Sequence, residues 1–461
     1  MAISIIPGFA QVKIGDNPDN INSNSILEME SVNKGLLAPR VALTDINSVT
    51  PLSGTVPAGM LVYNTGGVLP GGFYFWNSIK WLAIQSSANT RDNYVLVKSA
   101  VDLPVPVAGV ITLTAGTTYE INGTIVLTNK INLNGCYVVG MDANNDRLVY
   151  ASSSGEMFTG NKGGTIKTLT LVANNTGSKL FNLDMSVTEN LIVRDVVIAN
   201  CKDVGIIKAG YMIFFSIVSY TSNMNGITFQ DNAHLLLSNT AWFSSNSGTF
   251  EKFVGTFKHI NKVGGFYDAI ASRIGLDITG IISITDNAML ENTAFFGAGI
   301  KVNGNFSKRW EVESAGIDTE KDEVATGNIY LTNPVTTTFV ASNTPVKVLG
   351  TTTAAELFRV EADGNNKLIY AGTKGQRFSV LASMSLTSQA ANKYFSFYVF
   401  KNGILIPESE QAMRLSTGVD KGSITLSCTV LLQPDDYIEI WAANTTDASS
   451  MTVETFNLSI K

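Results

Sequence analysis

The sequence predicts an all-β chain in three parts: a small N-terminal β module, a parallel β-helix shaft and a C-terminal jelly-roll β-sandwich. Three observations lead there. Only 15% of the 461 residues are charged, against ~25% in a typical soluble domain; Gly, Ser, Thr and Asn are dense instead, which suits stacked sheets better than helices with charged faces. Apolar residues alternate with period two, as in Thr168-Leu169-Thr170-Leu171-Val172, and helical periodicity is nearly absent. Finally, short apolar runs recur about every 22 residues between positions 110 and 304.

That recurrence defines the shaft, residues 91–304. Gly205-Ile206-Ile207 is followed by Gly226-Ile227-Thr228-Phe229 and by Gly248-Thr249-Phe250, at spacings of 21 and 22. Val193, Phe214 and Leu236 keep step, as do Val197, Val218 and Thr240, while Asn200, Asn223 and Asn246 recur at 23. The pattern returns at Gly275-Leu276-Asp277-Ile278 and Gly299-Ile300-Lys301-Val302. A repeat of this length, made of β runs, indicates a parallel β-helix. Inward Ile, Val, Leu and Phe would fill the core, and Asn would sit at turns, where it tolerates left-handed backbone. About nine coils stacked at the ~4.8 Å strand spacing give a shaft of about 43 Å. A leucine-rich repeat would need a Leu-x-x-Leu-x-Leu pattern that is missing.

The flanks differ. Residues 305–332 crowd Lys308, Arg309, Glu311, Glu313, Asp318, Glu320, Lys321, Asp322 and Glu323 together and read as a solvated connector. Residues 333–461 alternate over 377–386, 394–400, 423–432, 437–442 and 451–460, with turn residues such as Lys401-Asn402-Gly403 and Pro434-Asp435-Asp436 between them. About 8–10 short strands of this kind fit a jelly roll. Residues 1–90 are punctuated by Pro7-Gly8, Asn17-Pro18 and Pro70-Gly71-Gly72, the turn chemistry of a compact β module.

Composition excludes several functions. A net charge of −6 argues against nucleic acid as a partner, because phosphate binding needs a concentrated basic surface. Cys136, Cys201 and Cys428 are odd in number and far apart, so they read as small buried residues made in a reducing cytoplasm rather than as disulfides or metal ligands. The start lacks the basic segment of a secretion signal. The most apolar stretch, 211–220, is far short of the ~20 residues that span a bilayer, so no membrane insertion is expected. No phosphate loop, metal-binding or other cofactor motif is found; cofactors and metals are expected to be none.

Three N-terminal blocks carry a resemblance. The segment Asn24-Ser-Ile-Leu-Glu-Met-Glu-Ser-Val-Asn-Lys-Gly-Leu-Leu-Ala-Pro-Arg40 precedes Gly59-Met60-Leu61-Val62-Tyr63-Asn64 and Phe73-Tyr74-Phe75-Trp76-Asn77 with Trp81. Together they resemble a module of fibre and surface proteins of Bacteroidota and their phages. Residues 310–318 and 327–331 resemble the segment leaving the β-helix of phage tailspikes. Phe400-Lys401-Asn402-Gly403 and the run Leu432–Trp441 resemble tumour-necrosis-factor-like jelly rolls. The resemblance implies a bacteriophage fibre or tailspike: a homotrimer on the virion surface, joined to other virion proteins through residues 1–90 and adsorbing to a host glycan or protein through its tip. A Bacteroidota surface adhesin is a third reading, disfavoured by the missing signal.

The rival function is a capsular polysaccharide depolymerase, because many tailspikes of this kind cleave glycans. Hydrolysis needs two carboxyl groups ~5–9.5 Å apart. The shaft offers Asp195, Asp203, Asp231, Glu251, Asp268, Asp277, Asp286 and Glu291; Asp231 and Asp277, beside the glycine motifs, are the catalytic candidates. No pair keeps the coil period, since Asp203 meets Met224, and the non-enzymatic reading is preferred. His234 and His259 lack nucleophile partners and read as structural. Tyr220 and Trp242 are one coil apart: outward they would form a glycan platform, inward they are core. Trp242 is followed by Phe243, so one of the two must face in.

Overall fold

The computed structural model describes residues 11–15, 20–84 and 91–461; the turn signals at Pro7-Gly8 and Asn17-Pro18 lie outside them. The chain divides into two units, Met1–Asp92 and Asn93–Lys461. Among the described residues there is no α-helix, only two 3₁₀ turns at Ala100–Asp102 and Asp322–Val324.

The first unit holds a parallel pairing of Val12–Ile14 with Leu27–Met29 and a separate four-stranded sheet. Leu61–Asn64, Gly72–Trp76 and Trp81–Ala83 form an antiparallel meander, and Arg40–Val41 joins its edge in parallel. Leu43, Val62, Tyr74, Trp76 and Trp81 form its core. The sequence blocks now have physical roles. Buried Asn64 accepts from the Leu43 N–H at 2.8 Å and donates to the carbonyls of Leu69 and Pro70. The Trp81 indole donates to the Ser48 carbonyl at 2.9 Å and packs on Trp76 with ring centroids 5.3 Å apart.

The second unit begins with a parallel solenoid of three faces. Nine successive pairings give the first face ten rungs, from Tyr94–Val97 to Trp310–Glu313. The second face runs from Val110–Thr112 to Ile300–Asn303, and the third from Thr124–Leu127 to Ala294–Gly297. One core fills the interior, and inward residues stack in columns such as Ile198, Tyr220, Trp242, Tyr267 and Phe295. Nine strand spacings make the first face about 43 Å tall.

The period is less regular than the sequence suggests. Val193, Phe215 and Leu237 are in register at 22 residues, but the next partners are Lys262 and Leu290. Corners of variable length absorb the difference while the strands stay aligned. Two expected alignments shift by one residue: Val193 meets Phe215 rather than Phe214, and Gly205 meets Ile227 rather than Gly226. Gly205 is required where it stands, because its φ is +96° and a Cβ would come within 2.0 Å of the Phe181 carbonyl oxygen. Asn200 is a left-handed corner residue (φ 55°), as expected of Asn at a turn. Asn223 and Asn246 instead turn inward. The Asn246 side-chain Oδ1 accepts from both the Asn223 backbone N–H and its side-chain amide, and the Asn223 Oδ1 accepts from the Cys201 N–H. Cys201, not Asn200, is the third member of that column.

The stretch read as a connector is mostly structured. Trp310–Glu313 is the last rung of the first face, and Thr326–Leu331 is already a sandwich strand. The jelly-roll β-sandwich consists of two six-stranded antiparallel sheets closing on one core. Its junction with the shaft is buried. The Arg359 guanidinium pairs with the Asp322 carboxylate and donates to the carbonyls of Trp310 and Glu320. The other Asp322 oxygen accepts from the Thr373 N–H, the Thr373 hydroxyl and the Lys374 N–H at 2.8–2.9 Å.

Candidate ligand-binding surfaces of the shaft

Strand alternation decides which side chains meet solvent. Tyr220 and Trp242 do stack one coil apart, with ring centroids 5.8 Å apart, but both are 0% exposed. They are core, so the outward glycan platform is not built from them. The large apolar rings fill the shaft where three faces converge. Phe243 is the outward member of its pair, 42% exposed. Its ring meets Phe266 edge-on at 5.1 Å, and Phe266 stacks on Phe296 at 5.7 Å with a 27° interplanar angle. Phe296 is also exposed. Three rings on successive coils thus form an apolar strip, two stacked and one edge-on, beside Asp268, which lies opposite Phe296 in the ladder. The sequence held one signal for this strip, the adjacency of Trp242 and Phe243.

The catalytic candidates are not brought together. Asp231 sits at a corner in the left-handed region (φ 53°), accepting from the Thr256 N–H at 2.8 Å. Asp277 is buried, accepting from the N–H and hydroxyl of Thr279 and from the Asn303 amide. Asp277 lies two rungs from Thr228, itself three residues before Asp231, so the two Cα atoms are about 14 Å apart. Each carboxylate serves local hydrogen bonding instead. Of the remaining candidates, Glu251 is inside the core, Asp203 faces Lys179 at 3.4 Å and Asp195 caps Arg194 at 3.1 Å.

One carboxylate pair does keep coil register. Glu291 lies beside Glu313 on the first face, at the ~4.8 Å strand spacing. It was hidden in the sequence because Glu313 falls in the stretch read as a connector. A groove of about 350 Å³ runs here between the shaft end and the sandwich, lined by Asp286, Glu291, Arg309, Glu311, Lys321, Glu323 and Lys374 among others. Cations sit among its acids: Lys374 is 3.2 Å from Glu311, and Lys321 pairs with Glu313 and Glu323. The two histidines are in register on the same face, rings 6.3 Å apart, with His259 Nδ1 2.5 Å from the Asn287 carbonyl oxygen. Burial pushes the Cys201 thiol to about 12, so it is unreactive. Among the described residues no cluster of His, Cys, Asp or Glu is arranged to hold a metal.

Residues 13–95 match the family described as phage tail like trimerisation region. No curated protein matches the chain. Among solved structures, murine APRIL at pH 5.0 is 10% identical, covering 30% of this chain and 98% of its own, with a TM-score of 0.22. Eiger TNF from S. frugiperda is 10% identical over 30% of this chain and 91% of its own, TM-score 0.22. The enzymatically active domain of bacteriophage CBA120 tailspike protein 4 is 9% identical over 90% of this chain and 77% of its own, TM-score 0.21. The family match supports a phage tail fibre or tailspike and, with it, a homotrimer.

Proposed function

We propose that the chain is a bacteriophage tail fibre or tailspike subunit, a homotrimer on the virion surface that adsorbs to a host surface glycan. The observation that carries this reading lies in the first unit. The matched trimerisation region contains Leu27, Met29, Val32, Leu36 and Leu37, which a single chain leaves 47–98% exposed. Apolar side chains left bare within one short segment are stabilised when other copies cover them. Residues 1–92 hold three copies together and join them to the particle. The shaft carries the exposed aromatic strip, and the sandwich is a tumour-necrosis-factor-like tip.

Sedimentation equilibrium tests the assembly: the expected mass is three times 49.4 kDa, and a folded monomer at micromolar concentration overturns the reading. The Phe243–Phe266–Phe296 strip suits stacking on sugar rings. Against a panel of purified capsular and lipopolysaccharide glycans, the bound glycan should lose about tenfold in affinity on Phe243→Ala with Phe296→Ala, about 1.4 kcal/mol.

The depolymerase alternative rests on Glu291 and Glu313. The neighbouring lysine contacts favour an ion-pair role, so incubation with capsule should release no new reducing ends. Release that is abolished by Glu291→Gln or Glu313→Gln would make the protein a hydrolase.

A further inference from the structure

The three faces of the shaft are chemically unequal. In the middle rungs of the first face the central outward column is Ile192, Phe214 and Leu236, each only half-buried. On the second face the corresponding outward column is Ile206, Thr228 and Lys252, and beside it run Lys208 and Gln230. The third face presents Val197, Ser219 and Ala241. In these rungs the first face carries a column of bulky apolar side chains, flanked by Asn190, Met212 and His234 on one side and Arg194, Ser216 and Ser238 on the other, whereas the aromatic strip of the third face begins at Phe243 and continues through Phe266 and Phe296.

We infer that the first face of the shaft is the surface on which the three copies meet, its occupant being a second copy of this chain. The inference rests on the trimeric reading above and names the face that reading leaves open. Two features select it. The matched trimerisation region runs to residue 95, inside Tyr94–Val97, the first rung of this same face. Parallel copies around a threefold axis place identical residues at identical heights, so Phe214 and Leu236 meet their own counterparts and apolar meets apolar. The second face, with its lysines and amides, stays in water.

The test places single cysteines in the full-length chain carrying Cys428→Ser, the other native thiols, Cys136 and Cys201, being buried. Leu236→Cys reports the first face and Thr228→Cys the second, with Phe214→Cys as the alternate reporter should Leu236→Cys misfold. Each protein is treated with a short bis-maleimide at micromolar concentration and run on a denaturing gel. Covalent dimers are expected from the first-face cysteines and none from Thr228→Cys. Cross-linking of Thr228→Cys, or failure of both first-face reporters in a protein that sediments as a trimer, overturns the assignment. A monomeric parent protein overturns the trimeric reading instead, so the two failures are distinguishable.

Discussion

Glu251 and Lys262 occupy inward positions whose neighbours one coil away are Ile227 and Leu276 for the glutamate, Leu237 and Leu290 for the lysine. Both side chains are essentially unexposed, with Nζ 2.9 Å from Oε2. The Thr240 hydroxyl donates to Glu251 at 3.0 Å and accepts from Lys262 at 2.9 Å, and the ammonium lies 5.0 Å from the centre of the Phe250 ring. A buried pair of this kind is roughly neutral against well-packed apolar replacements, yet removing one partner strands a charge. Lys262→Met should therefore lower stability by about 3–5 kcal/mol, and Glu251→Leu with Lys262→Leu should recover most of it, as read from denaturant unfolding. A double variant no more stable than the single one would refute this. The asparagine column behaves similarly. Asn246→Leu orphans buried groups of Asn223 and the Tyr220 carbonyl, at about 1–3 kcal/mol each, and should lower the unfolding midpoint more than Asn200→Ala at its exposed corner.

At the scale of elements, the shaft and sandwich meet through one buried ion pair and its hydrogen bonds. Burial opposes ionisation of Asp322. The hydrogen bonds from Thr373, the Arg359 charge and the Lys374 N–H outweigh it and hold the carboxyl below its ordinary value. A depressed carboxyl stabilises the folded state fully above its unfolded value of ~3.9 and loses that contribution as pH falls through the folded value. The junction should thus be insensitive to pH between 5 and 8 and loosen only in stronger acid. Limited proteolysis of the 314–325 segment, slow at neutral pH, should accelerate below about pH 4. Arg359→Met should produce the same acceleration at neutral pH. Cleavage at equal rates in parent and variant would show that the pair does not couple the two elements.

At the scale of the whole molecule, the proposed trimer draws on both units. Removing residues 1–92 deletes the bare apolar segment but leaves the first face of the shaft intact. The shortened chain should remain folded, by circular dichroism, and trimerise at least tenfold more weakly in a sedimentation dilution series. Undiminished trimer affinity would place all of the assembly in the shaft and sandwich. Full-length chain and shortened chain should differ little in glycan binding per trimer, because the Phe243 strip lies on the shaft.

The sequence by itself determined the solenoid, because a ladder imposes the same inward residues on every coil and so writes its period into the chain. It likewise determined the sandwich, where strands with one buried face alternate. The blocks around Asn64, Trp76 and Trp81 were legible as a unit through their resemblance to a known module, and their side chains close one small core. Only the tertiary structure decided direction and register. Tyr220 or Phe243 could each face outward on periodicity alone, since one residue of slip at a corner reverses the faces. Glu251 read only as one of eight shaft carboxylates, and its pairing with Lys262 emerged when the coil brought them together across the core. Glu291 and Glu313 became neighbours only when the last rung proved to lie beyond the visible repeat. Corner lengths vary from coil to coil, and a one-dimensional period cannot count residues that leave the ladder and return to it.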